Sequence, residues 1–159
     1  MESRIALLVV SDSRFSGDAE DLSGPAAKAA LAAQGFTDIF CDIVPDEIDK
    51  IQAALLRLVR EASLVLTLGG TGFGPRDVTP EATAPILERR ADNLGELLRL
   101  RGSEHTPMSY LSRGIAGVAH GCLIVNLPGS PRAAQQGIEI LGPLLPSILQ
   151  NLRGDGCPH

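Results

Sequence analysis

Tryptophan is absent from the 159 residues, tyrosine occurs once, and aromatic residues make up only 3% of the chain. That leaves almost no material for a surface that stacks bases of single-stranded nucleic acid on rings. Basic runs are missing too. Lys and Arg number 14 against 19 Asp and Glu, a formal charge of -5, and nothing stands ready to neutralise a phosphate backbone. No nucleic-acid partner is expected. No apolar run is long enough for a membrane span: Met1-Glu2-Ser3-Arg4 leads into a stretch that already ends at Val10, without a cleavage site. No membrane association is expected, and a cytoplasmic address follows by default. The three cysteines, Cys41, Cys122 and Cys157, are odd in number and far apart in a chain showing no secretory leader, which argues against a disulfide framework. Cys41 and Cys122 lie in apolar contexts and read as buried, inert thiols.

What is present suits one globular domain. Hydrophobic residues are 44% of the chain and charged residues 21%, enough to bury a core. Ile5 to Val10, Leu64 to Leu68 and Cys122 to Leu127 are continuous apolar runs with Asn126 as the one polar member of the last, the signature of strands covered on both faces. Helical spacing appears between them. Ile48, Ile51, Leu55, Leu58 and Val59 share one face, with Asp46 placed to cap that helix. Pro25 to Gln34 is rich in Ala, carries Ser23 as a candidate cap and stops at Gly35; Leu94, Leu97 and Leu98 mark another helix. A helix after Ser130 is interrupted by Gly142-Pro143 and resumes at Leu144. Ile115 to Asn126, broken at His120-Gly121, predicts a hairpin and hence one antiparallel strand in a mostly parallel sheet. This alternation specifies an α/β sandwich with helices on both faces.

Ligands in such folds sit beyond the carboxyl ends of the strands. Three loops fit: Ser11-Asp12-Ser13-Arg14, Gly69-Gly70-Thr71-Gly72, and Pro128-Gly129-Ser130-Pro131. The second continues as Phe73-Gly74-Pro75-Arg76-Asp77, and its four glycines in six residues offer amides unshielded by side chains. It has neither the dinucleotide spacing nor a Walker lysine. A helix is predicted to follow, with Thr79 as cap and Pro80 in its first turn. Asp77 reads as a salt bridge to Arg76, a cap, or a metal ligand. If Asp46 and Asp77 converge, the pair suits a hard cation such as Mg²⁺ held against phosphate oxygens. Ser130 at a helix start, preceded by Gly129, makes a ready anion site. Ser13-Arg14 and Ser112-Arg113 each bring a guanidinium towards the suspected cleft. Zinc and nucleophile signals are weak: Cys157 and His159 are two ligands on a terminal tail, His105 and His120 have no ligand spacing, and no nucleophile elbow occurs.

In this order the loops resemble the MogA/MoaB family of molybdenum cofactor biosynthesis proteins, which includes the amino-terminal domain of gephyrin. The resemblance rests on Val10 to Ser13 with Asp21 to Pro25, on Val44 to Glu47, and on Gly69 to Ala82 reading GGTGFGPRDVTPEA. Leu111 to Gly117 and Asn126 to Pro131 complete it. One departure is Leu68, where a Thr or Asn often precedes the glycines. The match spans residues 4–152 as one molybdopterin-binding domain and leaves 153–159 as a tail.

The resemblance implies a three-layer α/β/α sandwich and a homotrimer, to which the apolar residues beyond Leu144 also point. It implies adenylyl transfer from Mg-ATP to the terminal phosphate of molybdopterin, with release of pyrophosphate. It assigns catalysis and Mg²⁺ to Asp46 and Asp77. It places Gly69, Gly70, Thr71, Gly72, Gly129 and Ser130 around the substrates, and the loop positions add Ser11, Ser13, Arg76, Ser112, Arg113 and Pro128 to the expected binding set. ATP and molybdopterin are the small-molecule partners, and a molybdenum-insertion protein is a further possible one. The alternative is a non-catalytic carrier or binder of molybdopterin.

Overall fold

A computed structural model describes residues 3–154. Six strands form one mixed sheet: β1 (Ile5–Val10), β2 (Ile39–Val44), β3 (Leu64–Leu68), β4 (Arg89–Arg90), β5 (Ala116–Ala119) and β6 (Cys122–Leu127). Their order is β2-β1-β3-β6-β5-β4. The predicted hairpin is β5 and β6, paired antiparallel, while β2, β1, β3 and β6 are mutually parallel. Its tight turn holds His120 and Gly121 both at positive φ, 52° and 72°, which matches the twist of the strands it joins. Strands β2 and β4 escape a reading by continuous apolar runs. They are the sheet's edges, and β2 interposes Asp42 while β4 is two exposed arginines.

Alternation along the buried strands splits the core into two layers. Ile5, Leu7 and Val9 join Leu64, Leu66, Leu123 and Val125 beneath α2 (Ser23–Ala33), α5 (Asp92–Gly102), α6 (Pro131–Leu141) and α7 (Leu145–Leu152). Ala6, Leu8, Val65 and Ile124 face the opposite side, under α3 (Ile48–Leu58) and Ala82 of α4 (Thr79–Thr83). A short α1 (Asp12–Ser16) follows β1. Burying each of these Leu, Ile or Val side chains contributes about 1.5–3 kcal/mol, so the strands act as the fixed floor on which the loops stand.

Several local expectations are corrected. The apolar residues beyond Leu144 are not left over: Leu145 and Leu149 are buried in the chain's own core. Of the leucines and isoleucine there only Leu144 is exposed, because α7 turns its apolar face inward. Cys41 is exposed, since edge strand β2 has no neighbour on one side; Cys122 is buried, and burial pushes its thiol up to about 12. Ile48 is likewise exposed at the start of α3. Ser23 does not cap α2. The Asp21 carboxylate accepts the Ser23 and Gly24 amides instead, at 3.1 Å each, because it reaches both from outside the first turn. Cys157 and His159 lie outside the described residues.

Candidate functional site

The parallel strands β1, β3 and β6 end together, so their following loops meet at one edge of the sheet. Gly69 N–H donates to the Leu127 carbonyl at 3.0 Å, and a side chain on Gly69 would collide with the Val10 carbonyl at 2.4 Å. Gly129 lies against the same backbone, where an added Cβ would sit 3.1 Å from Gly69 Cα. Glycine at these positions therefore answers to close contact between loops. Arg14 ties the third wall in, donating to the Gly129 carbonyl at 3.2 Å and to Ser23 Oγ at 3.1 Å.

The result is a polar cleft of about 570 Å³ lined by Ser11, Ser13, Arg14, Asp46, Gly69 to Gly72, Asp77, Gly129 and Ser130. Asp46 and Asp77 do converge on the glycine loop: an added Cβ would lie 3.4 Å from Asp46 Oδ1 at Gly70, and 2.9 Å from Asp77 Oδ2 at Gly72. Ser130 caps α6, its Oγ accepting the Ala133 amide at 3.1 Å. Ser11 caps α1 in the same way through Arg14 N–H, and its hydroxyl is 3.3 Å from that of Ser13.

Asp46 is not the cap of α3; Glu47 stands in that position, directly before Ile48. Its carboxylate accepts the Asp12 amide at 2.9 Å while the Asp12 carboxylate accepts the Asp46 amide at 2.9 Å, a reciprocal clasp that holds β1's loop to β2's. Arg76 closes bidentately on Asp12 at 3.0 Å, so the suspected Arg76–Asp77 bridge is not formed. These contacts set the two carboxyls apart. The Arg76 hydrogen bond and the Asp46 amide hold Asp12 below its ordinary range. Burial, then the charges of Asp12 and Asp77, push Asp46 upward, against the lowering pull of the Asp12 amide. Asp77 Oδ2 accepts the Gly74 amide at 2.9 Å.

Four predicted residues stand outside the cleft: Ser112 and Pro128 line an adjoining cavity, and Arg76 and Arg113 line neither. Arg76 is held on Asp12. Arg113 turns away, donating to the Gly72 carbonyl at 2.8 Å, the Asp77 carbonyl at 2.8 Å and both Glu81 oxygens at 2.7 and 3.2 Å. Thr79 also departs from its expected part: α4 is capped at Val78, and the buried Thr79 hydroxyl donates to the Gly69 carbonyl at 2.9 Å.

A second cavity of about 330 Å³ adjoins the first through Thr71, Gly72 and Ser130, and its walls include Leu98, Met108, Leu111, Leu127 and Ile140 with Ser112 and Pro128. Sequence reasoning missed it. The available signal was three glycines inside helices, Gly95 and Gly102 of α5 and Gly137 of α6, all of which line it. At Gly137 a methyl group would meet Leu127 at 2.9 Å.

Behind the cleft lies a buried polar cluster. Asn126 donates through Nδ2 to Thr67 Oγ1 at 2.9 Å and Thr83 Oγ1 at 3.2 Å, and its Oδ1 accepts the Ile115 amide at 3.1 Å. Thr83 donates onward to the Thr79 carbonyl at 2.8 Å. The single polar member of an apolar strand thus fixes β3, α4 and the 112–115 loop together, and no buried side-chain polar atom is unsatisfied among the described residues.

Fold and site define an α/β sandwich with a polar, glycine-rich cleft at its strand ends, opening into a less polar cavity. Comparison with known proteins makes this specific. A sequence profile described as "Probable molybdopterin binding domain" matches residues 6–147, and the chain belongs to that family. It is 40% identical over 160 residues to the molybdenum cofactor synthesis protein cinnamon of Drosophila melanogaster, a match covering 98% of this chain but 26% of that protein. It is 36% identical over 155 residues to the molybdopterin adenylyltransferase of Helicobacter pylori strain 26695, covering 95% of this chain and 88% of the relative. The solved structure of the molybdopterin biosynthesis enzyme MoaB from Thermus thermophilus superposes with a TM-score of 0.90 at 43% identity, over 96% of this chain and 97% of that one. The resemblance carried by the loop motifs is borne out.

Proposed function

We propose that the chain acts in molybdenum cofactor biosynthesis as a molybdopterin adenylyltransferase, with residues 4–152 as the functional unit. One observation carries the reading: Asp46 and Asp77 flank a glycine loop whose cleft also holds the Ser130 helix start and opens into a more enclosed, less polar cavity. A phosphorylated pterin has that same division of character. Its body suits the Leu98, Met108 and Ile140 side, and its phosphate the polar side.

In the reaction, an oxygen of the terminal phosphate of molybdopterin forms a bond to the α-phosphorus of ATP. The bond from that phosphorus to the β-phosphate oxygen breaks, and pyrophosphate leaves with the electron pair. The loop amides and the α6 start receive phosphoryl oxygens, so the chain's contribution is alignment and charge stabilisation. No side chain becomes covalent. The cleft's charged groups are chiefly acidic, with Arg14 as its one lining guanidinium, which leaves it unable to receive a triphosphate unaided. Asp46 and Asp77 offer hard oxygens on the glycines' two sides. No group of three acidic, His or Cys side chains assembles among the described residues, so phosphate oxygens would complete any Mg²⁺ shell. Mg²⁺ held there supplies charge neutralisation on the phosphates.

The exposed apolar stretch of Leu100, Met108, Tyr110 and Leu111 supports assembly as a homotrimer. A cytoplasmic setting and a molybdenum-inserting partner downstream belong to the same reading. Incubation with molybdopterin and Mg-ATP, followed by mass detection of adenylylated pterin, tests the activity. Tight retention of molybdopterin without product would refute it in favour of a carrier.

A further inference from the structure

Gly69 to Gly72 present four successive carbonyl oxygens, and each is taken by one of two residues. The Thr79 hydroxyl donates to Gly69 O at 2.9 Å, and Thr79 N–H donates to Gly70 O at 3.1 Å. Arg113 N–H donates to Thr71 O at 2.8 Å, and its Nε donates to Gly72 O at 2.8 Å. In a planar trans peptide the carbonyl and the following N–H point in opposite directions. Each bond therefore turns the next residue's amide away from Thr79 or Arg113. The amides so turned include those of Gly70, Thr71 and Gly72, and these three residues line the polar cleft. None of the three amides donates to another group among the described residues.

We infer that Thr79 and Arg113 are positioning residues that hold the glycine loop open as an amide cradle for phosphate, and that Arg113 acts through this clamp and not as a direct ligand of substrate. The inference rests on the proposed reading of the loop as the phosphate site. Burial and sterics say the clamp is built. Thr79 is wholly buried, and its carbonyl is held by Thr83. A Cβ on Gly70 would lie 2.2 Å from the Thr79 hydroxyl, so the hydroxyl and the glycine require one another. Arg113 in turn is anchored by the Glu81 carboxylate and by the Asp77 carbonyl, which links the cradle to the carboxylate beside it.

The test is a titration of the ¹⁵N-labelled full chain with inorganic pyrophosphate in excess Mg²⁺, read at the amides of residues 70 to 72. In the unaltered chain these amides shift saturably. Hydrogen bonds to charged groups are strong enough that misaligning one is expected to weaken binding by about tenfold. Thr79→Val, which keeps the shape and the backbone donor, should show that loss; Thr79→Ser should restore the affinity to within about twofold. Arg113→Lys keeps the positive charge on a partly exposed residue but cannot bridge Gly72 O, Asp77 O and Glu81 together, so several-fold weakening is expected there too. Unchanged affinity in Thr79→Val and Arg113→Lys, or no saturable shift at residues 70 to 72 in the unaltered chain, overturns the inference. Thermal unfolding of each variant separates the effects, because a purely structural role lowers the melting temperature and leaves the affinity alone. Saturable shifts that Thr79→Val and Arg113→Lys weaken, in a chain that makes no adenylylated pterin, would refute the proposed activity while supporting the clamp.

Discussion

Asn126→Asp is nearly isosteric, yet it should convert the polar cluster behind the cleft into a pH-dependent fault. Asn126 is 3% exposed, and its amide donates to two threonine hydroxyls while its carbonyl accepts the Ile115 amide. An aspartate keeps the bond from Ile115. Thr67 can rotate its hydroxyl towards the new oxygen, but the Thr83 hydroxyl already donates to Thr79 and would oppose it with a lone pair. All of the residue's hydrogen-bond partners are neutral. Burial without a cation raises a carboxyl's pKa, here by about 3 units, and each unit corresponds to about 1.4 kcal/mol. The protonated form replaces one of two lost donors, a residual loss of about 1 kcal/mol. The sign follows from the raised folded-state pKa. Near pH 4 and below, the variant should lie only about 1 kcal/mol under the parent. As pH rises towards 7 the deficit should grow to about 5 kcal/mol, which would take much of a typical domain's stability. With no tryptophan to report unfolding, urea titration followed by far-ultraviolet circular dichroism at several pH values, each referenced to the parent, gives the measurement. A deficit that stays constant between pH 4.5 and 7.5 would refute the argument that this position is desolvated and served only by neutral partners.

Other outcomes are equally specific. Asp77→Asn retains an oxygen for the Gly74 amide, so its denaturation midpoint should barely move, whereas adenylylated product should form at least about a hundredfold more slowly, a barrier rise of about 2.7 kcal/mol; near-normal turnover at saturating Mg²⁺ would remove Asp77 from catalysis. Ser130→Ala removes the α6 cap and should cost about 1 kcal/mol, lowering the melting temperature by about 2–4 °C, while pyrophosphate binding weakens beyond that loss; normal binding would make the cap purely structural. Asp46 titrates above an ordinary aspartate because of burial and its acidic neighbours, so Mg²⁺-dependent turnover should fade as pH drops through that raised value. Asp12→Asn, by removing one negative neighbour, should move the Asp46 carboxyl carbon's NMR titration midpoint downward, and an upward or absent shift would contradict the assignment. Light scattering at micromolar concentration should give a trimer, and a monomer would count against that assembly.

The sequence by itself determined the layers and most of the loops. Continuous apolar runs at Ile5, Leu64 and Cys122 specify doubly covered strands because alternate side chains must enter opposite cores, the pattern of parallel neighbours under helices. His120-Gly121 fixed the one reversed strand through the positive φ its turn demands. Strand ends then located the three loops, and their glycines and Ser130 followed from close approach and capping. The edge strands escaped because an edge needs no continuous apolar run, and the second cavity escaped because its walls come from α5, α6 and the 107–111 turn, far apart in the chain.

Only the tertiary structure decided partners. Local chemistry offered Asp46 as a cap, Arg76 as a mate for Asp77, Thr79 as a cap and Arg113 as a free guanidinium, each reasonable from its nearest neighbours. Folding instead sets Asp46 against Asp12, Arg76 on Asp12, and Thr79 with Arg113 on the carbonyls of the glycine loop. The reason is geometric. Hydrogen bonds are short and directional, so which donor meets which acceptor depends on packing between residues tens of positions apart, and no local pattern encodes that distance.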